Sequence, residues 1–100
     1  MSGFQVTIEH AGGGRVTSMP QSNLAAACSD AESRWLKTHG AAAGRISLAV
    51  RSGTHLLATA LLPPKTNRVV VKYPDGRKVS GTAATTITHT LWTVRAGGPW

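Results

Sequence analysis

The chain reads as an α+β protein: a mainly antiparallel β-sheet with one amphipathic helix, in the order ββαββ followed by a basic β-hairpin and a final strand. Three observations predict this. Apolar and polar residues alternate in several short runs, the period of half-buried strands. One segment alone, Ser22–His39, spaces its apolar residues at the helical period. The rest is cut by Gly- and Pro-containing turn sequences too close together for a second helix. An antiparallel sheet with a helix on one face is the economical packing of such a set. With 100 residues the whole chain, 1–100, is taken as a single domain.

Each element has a local reason. Phe4 to Glu9 alternates without a break, and Ala11-Gly12-Gly13-Gly14 then supplies residues free to adopt a hairpin turn. Arg15 to Met19 is a weaker return strand that Pro20 should end. Ser22 or Asn23 can cap the helix, whose stripe is Leu24, Ala27, Cys28, Ala31 and Trp35. Asp30 and Arg34 stand four apart, Lys37 and His39 occupy the last turn, and Gly40 follows as a cap.

Arg45 to Arg51 alternates as a third strand, and Arg51-Ser52-Gly53-Thr54 is a turn. His55 to Leu62 is apolar on both faces, so it is expected to lie centrally or to be covered on both sides. Pro63 to Asn67 breaks the chain, and Arg68–Val79 forms a hairpin about Pro74-Asp75-Gly76-Arg77, where Gly76 supplies the left-handed position. Thr85 to Arg95 is the last strand. Its apolar set, Ile87, Leu91, Trp92 and Val94, changes frame between Leu91 and Trp92, so a bulge is expected there.

The chain is 41% hydrophobic, enough for a packed core, but holds only five aromatic residues. The core must therefore be mostly Ala, Val, Leu and Ile, with Phe4, Trp35, Tyr73 and Trp92 as its bulky anchors.

Charge is the most informative functional feature. Of the net +7, Met1–Leu62 contributes +2 and Pro63–Trp100 contributes +5, with Asp75 as the only acid in that second stretch. Such asymmetry suits a polyanionic partner. In the hairpin, Arg68, Val70 and Lys72 share one strand face, and Arg77 and Lys78 follow the turn. The candidate nucleic-acid-binding residues are therefore Lys65, Arg68, Lys72, Arg77 and Lys78, with Arg15 and Arg51 as extensions. A two-stranded ribbon fits a major groove, and its cations can also track phosphates. The competing explanation is an edge hairpin protected from aggregation by its charges.

Other chemistries leave weaker traces. The four histidines, His10, His39, His55 and His89, show no metal-ligand spacing, and there is one cysteine, so neither a metal nor a cofactor is expected. Gly12-Gly13-Gly14 lacks the spacing of a phosphate loop, and no nucleophile elbow is present. Cys28 lies on the helix stripe as a small core residue, and a lone thiol suits a reducing cytoplasm. No secretory leader or run of about 20 apolar residues is visible, so no membrane partner is expected.

The sequence thus predicts a small non-enzymatic binding protein that contacts nucleic acid or an acidic protein surface, with self-association into a homo-oligomer as a further arrangement. Three alternatives accompany it. One is an inhibitor of the phage or mobile-element, anti-CRISPR-like type, bound to a host protein or ribonucleoprotein complex. Another is a virion or assembly subunit. The third is a metal-independent ribonuclease toxin with His89 or Tyr73 as acid or base and Arg77 or Lys72 stabilising the phosphorane.

Overall fold

The computed structural model describes residues 3–10, 14–39, 46–52, 54–63, 65–85 and 90–95. Expectations placed on Gly12, Gly13, Gly40, Arg45, Gly53, Ile87, His89 and Trp100 lie outside them. The described residues form strands β1 (Gln5–His10), β2 (Gly14–Thr17), β3 (Ile46–Ser52), β4 (His55–Leu61), β5 (Thr66–Lys72), β6 (Lys78–Ser80), β7 (Thr82–Thr85) and β8 (Thr90–Arg95). One helix, α1 (Leu24–His39), accompanies them. The fold is α+β.

The strands make two four-stranded sheets, ordered β2-β1-β5-β6 and β4-β3-β8-β7. Every pairing is antiparallel except β3 with β8, which is parallel. Gly81 separates β6 from β7 and marks the passage from one sheet to the other. Its N–H donates to the Val69 carbonyl (2.8 Å). A Cβ there would stand 3.2 Å from Val94 Cγ2 and 3.3 Å from Trp92 Cε3, so a residue without a side chain lets the chain turn the corner closely.

The alternation read from sequence sorts the first sheet into two faces. Val6, Ile8, Val69 and Val71 are fully buried, whereas their neighbours in β1 and β5 are half-buried or exposed. Leu48, Val50, Ala58, Ala60, Trp92 and Val94 join them from the second sheet in the same core. The helix adds its whole stripe, Leu24, Ala27, Cys28, Ala31 and Trp35, and touches both β1 and β4. The small alanines let its backbone approach closely. Asn23 Oδ1 accepts the Ala26 N–H (2.7 Å), which is the expected cap, and Asp30 meets Arg34 at 2.8 Å. Tyr73 and Trp35 are buried anchors, Trp92 is nearly so, and the partly buried Phe4 packs edge-on against Tyr73.

Two expectations are corrected. β4 is not central: it is an edge strand, and Leu56 and Leu61 are 52% and 44% exposed. A register shift at Val50/Arg51 brings Leu56 onto the outward face with Leu61, while Ala58 and Ala60 point inward. The free edge is served instead by the helix, through Glu32 and Trp35. The final strand also differs. Its expected first residue, Thr85, ends β7 (Thr82–Thr85), which pairs antiparallel with β8, and β8 itself begins at Thr90. No bulge falls between Leu91 and Trp92, because both pair in continuous register with β3. Trp92 and Val94 face the core, and Leu91, half-buried, faces out.

Candidate functional site

Pairing fixes what stands beside each hairpin cation. The outer face of the first sheet carries Gln5, Thr7 and Glu9 from β1, Arg15 and Thr17 from β2, Arg68, Val70 and Lys72 from β5, and Lys78 and Ser80 from β6. In register these make three rows across the sheet: Gln5–Lys72–Lys78, Thr17–Thr7–Val70–Ser80, and Arg15–Glu9–Arg68. Successive rows are two residues apart, so the outer rows lie about 13 Å from each other along the strands. Short side chains floor the middle and long ones rise on both sides. The result is a shallow trough of about 330 Å³ with Arg15, Arg68, Lys72 and Lys78 on its walls.

Electrostatically the trough holds four cations against one carboxylate. Glu9 lies between Arg15 and Arg68 in its row and reaches Arg15 Nη2 at 4.0 Å. Arg68, Lys72 and Lys78 are exposed, and none has an ion-pair partner among the described residues. Lys72 and Lys78 are direct cross-strand partners. The Tyr73 N–H donates to the Arg77 carbonyl and the Gly81 N–H to that of Val69. By alternation, Lys72–Lys78 is a non-hydrogen-bonded pair, the type with Cα atoms about 4.5 Å apart and the closer side chains. Like charges so placed weaken a sheet by a few tenths of a kcal/mol or more, roughly 0.2–1. An anion seated between them reverses that sign.

Of the five cations singled out in the sequence, the fold brings Arg68, Lys72 and Lys78 together and sets two apart. Lys65 occupies the turn before β5 with φ 61°, exposed and off the trough. Arg77 pairs in register with the inward-facing Tyr73, lies 5.0 Å over its ring, and reaches Asp75 at 4.0 Å. It braces the turn, together with the Asp75 carboxylate that accepts the Arg77 N–H (2.9 Å) and Gly76 at φ 91°. Of the extensions, Arg15 joins the trough, whereas Arg51 lies on the second sheet beside Arg95.

Glu9 was not singled out from sequence, and neither was the floor. Their signal is the strict alternation of Gln5, Thr7 and Glu9, which makes a polar face. Only the pairing of β1 between β2 and β5 puts that face inside the cationic patch.

Other reactive groups sit elsewhere. Tyr73 is buried, and burial pushes its hydroxyl above the usual tyrosine value. It is therefore not presented on the trough as an acid or base. Burial, reinforced by the Glu32 charge, pushes the Cys28 thiol up to about 11, so it stays protonated and unreactive at neutral pH. Among the described residues no cluster of three or more His, Cys, Asp or Glu could hold a metal, and no helix is long and apolar enough to cross a membrane. No protein-family model matches the chain, and neither a curated protein nor a solved structure shows significant similarity to it.

Proposed function

We propose that the protein is a non-enzymatic binding module that holds nucleic acid by its phosphate backbone on the outer face of the first sheet. The observation that carries this reading is the opposed pair Lys72–Lys78, which shares a face with Arg68 and Arg15 and has Glu9 as its one opposing acid. Four cations around a floor of short side chains suit a chain of phosphates, with Thr7 and Thr17 able to donate further hydrogen bonds. Such contacts position a backbone and carry no base information.

Charge reversal tests it. The Arg68→Glu/Lys72→Glu variant is expected to lose at least tenfold in affinity for a fluorescein-labelled DNA duplex, measured by anisotropy at low salt. Both side chains are exposed, so its thermal unfolding should stay close to wild type. Unchanged affinity removes this face as the contact.

A protein partner is the second reading, favoured by a separate observation. Leu56 and Leu61, both well exposed, share the outward face of the second sheet with Leu91. An apolar surface of this kind suits an inhibitor or assembly subunit docking on another protein. Binding that survives nuclease treatment and is lost in Leu56→Ser/Leu61→Ser would establish it over the first.

A further inference from the structure

Resting on the nucleic-acid reading, we infer that the trough takes a duplex in preference to a single strand and lies across its backbone without entering a groove. Two observations carry this. The first is width. The basic hairpin is not a free ribbon: β5 and β6 are two members of a four-stranded sheet, and the cations that define the site extend to Arg15 on β2, the opposite edge. Four strands at about 4.8 Å spacing present a face about 14 Å across before side chains are added. That exceeds the roughly 12 Å major groove and is more than twice the roughly 6 Å minor groove. A face this broad can only rest on the phosphates.

The second observation concerns bases. Single strands are held by stacking unstacked bases on aromatic rings, with a cationic groove following the backbone. Of the described aromatic residues, Trp35, Tyr73 and Trp92 are buried in the core, and Phe4 is packed against it. Among the described residues the trough lining contains no aromatic ring; its floor is threonine and valine. The described residues of the site therefore offer charge without stacking. Charge alone favours the partner with the denser charge, and a duplex carries one phosphate per about 1.7 Å of axis and releases more counterions per contact than a single strand. A flexible strand must also be ordered on binding, at a further entropic cost.

The test titrates the wild-type protein against a labelled DNA duplex, each separated strand of that duplex, and an RNA duplex of the same sequence. Either duplex is expected to bind about tenfold or more tighter than the single strands at 50 mM salt. Duplex affinity should be insensitive to base sequence and fall about a hundredfold between 50 and 200 mM salt, as about four phosphate contacts require. The arm that prevails between DNA and RNA identifies which duplex geometry fits the trough. Single strands binding as tightly as the duplex, or a strong dependence on base sequence, overturns the inference while leaving the nucleic-acid reading intact. Failure of every nucleic acid to bind at 50 mM salt overturns that reading itself.

Discussion

The indole N–H of Trp35 donates to the main-chain carbonyl of Leu61 at 2.9 Å. The neighbouring helix residue Glu32 accepts the N–H of the same Leu61 at 2.6 Å. Leu61 belongs to β4, the outer strand of its sheet, so two helix side chains satisfy backbone groups that an edge strand would otherwise expose to pairing by another chain.

Trp35→Phe is therefore expected to cost about 1–2 kcal/mol, since it keeps most of the buried ring and loses the hydrogen bond. Trp35→Ala, which empties a site only 1% exposed, should cost about 3–5 kcal/mol. Urea denaturation of both variants measures the difference. No measurable loss in Trp35→Phe would show that the bond to Leu61 contributes nothing beyond packing. The Trp35→Phe/Glu32→Ala double variant should also self-associate as concentration rises, as read by size-exclusion chromatography with light scattering.

Local patterning explains which parts of this arrangement could be read in advance. The spacing of Leu24, Ala27, Cys28, Ala31 and Trp35 is dictated by the helix period, and all five are buried. The Pro74–Arg77 turn follows from the φ of proline and the freedom of Gly76. Strand order has no such local signal. Nothing in Thr90 to Arg95 announces a parallel pairing with β3, because parallel neighbours are joined by long connections. The same gap hid the site's full extent. Arg68, Val70 and Lys72 show their shared face by alternation, but Arg15 and Glu9 join them only because β1 pairs with both β2 and β5. β4 misled for a related reason. An apolar run on both faces is the mark of a covered strand, yet here the helix meets its edge and leaves Leu56 and Leu61 facing outward.

Lys65 separates charge from placement. It is the one described non-glycine residue at positive φ, 61°, a conformation that disfavours side chains by about 1 kcal/mol or more. Lys65→Gly should therefore raise stability by about 0.5–1 kcal/mol in urea denaturation. Because Lys65 stands off the trough, duplex affinity should fall by no more than about twofold, from the loss of one screened distant charge. A loss as large as that expected of Arg68→Glu/Lys72→Glu would place Lys65 in the contact after all.

Glu9 is the single acid among the trough cations, and it opposes any phosphate placed there. Glu9→Gln keeps the size and hydrogen-bonding reach of the side chain while removing its charge. It is expected to strengthen duplex binding by about three- to tenfold at low salt, with the gain shrinking as salt rises. Stability should hardly change, because the Glu9–Arg15 pair is long, at 4.0 Å, and joins a half-buried carboxylate to an exposed guanidinium. Anisotropy titrations over a salt series check both points. Weaker binding by Glu9→Gln would mean that Glu9 orients Arg15 for the ligand and does not repel it.

Asp30 ties the helix to the segment before it and makes that tie sensitive to acid. Its carboxylate accepts from Arg34 Nε at 2.8 Å and from the Met19 N–H at 2.8 Å. These bonds, the one from Arg34 first, hold its pKa below the ordinary aspartate value of 3.8. A carboxyl whose pKa is lower folded than unfolded contributes stability that is complete above the unfolded value. That contribution is lost as pH falls through the folded one. Between pH 5 and 8 Asp30 should therefore add no slope to the unfolding free energy, and its loss should begin near pH 4 and deepen below it. Asp30→Asn, which can still accept the Met19 N–H but carries no charge, should be less stable than wild type at pH 7, with the gap narrowing as pH falls below the ordinary aspartate value of 3.8. Urea unfolding midpoints across this range decide the matter, and a constant gap between the two proteins at all pH values would show that the Asp30 charge does not couple to folding.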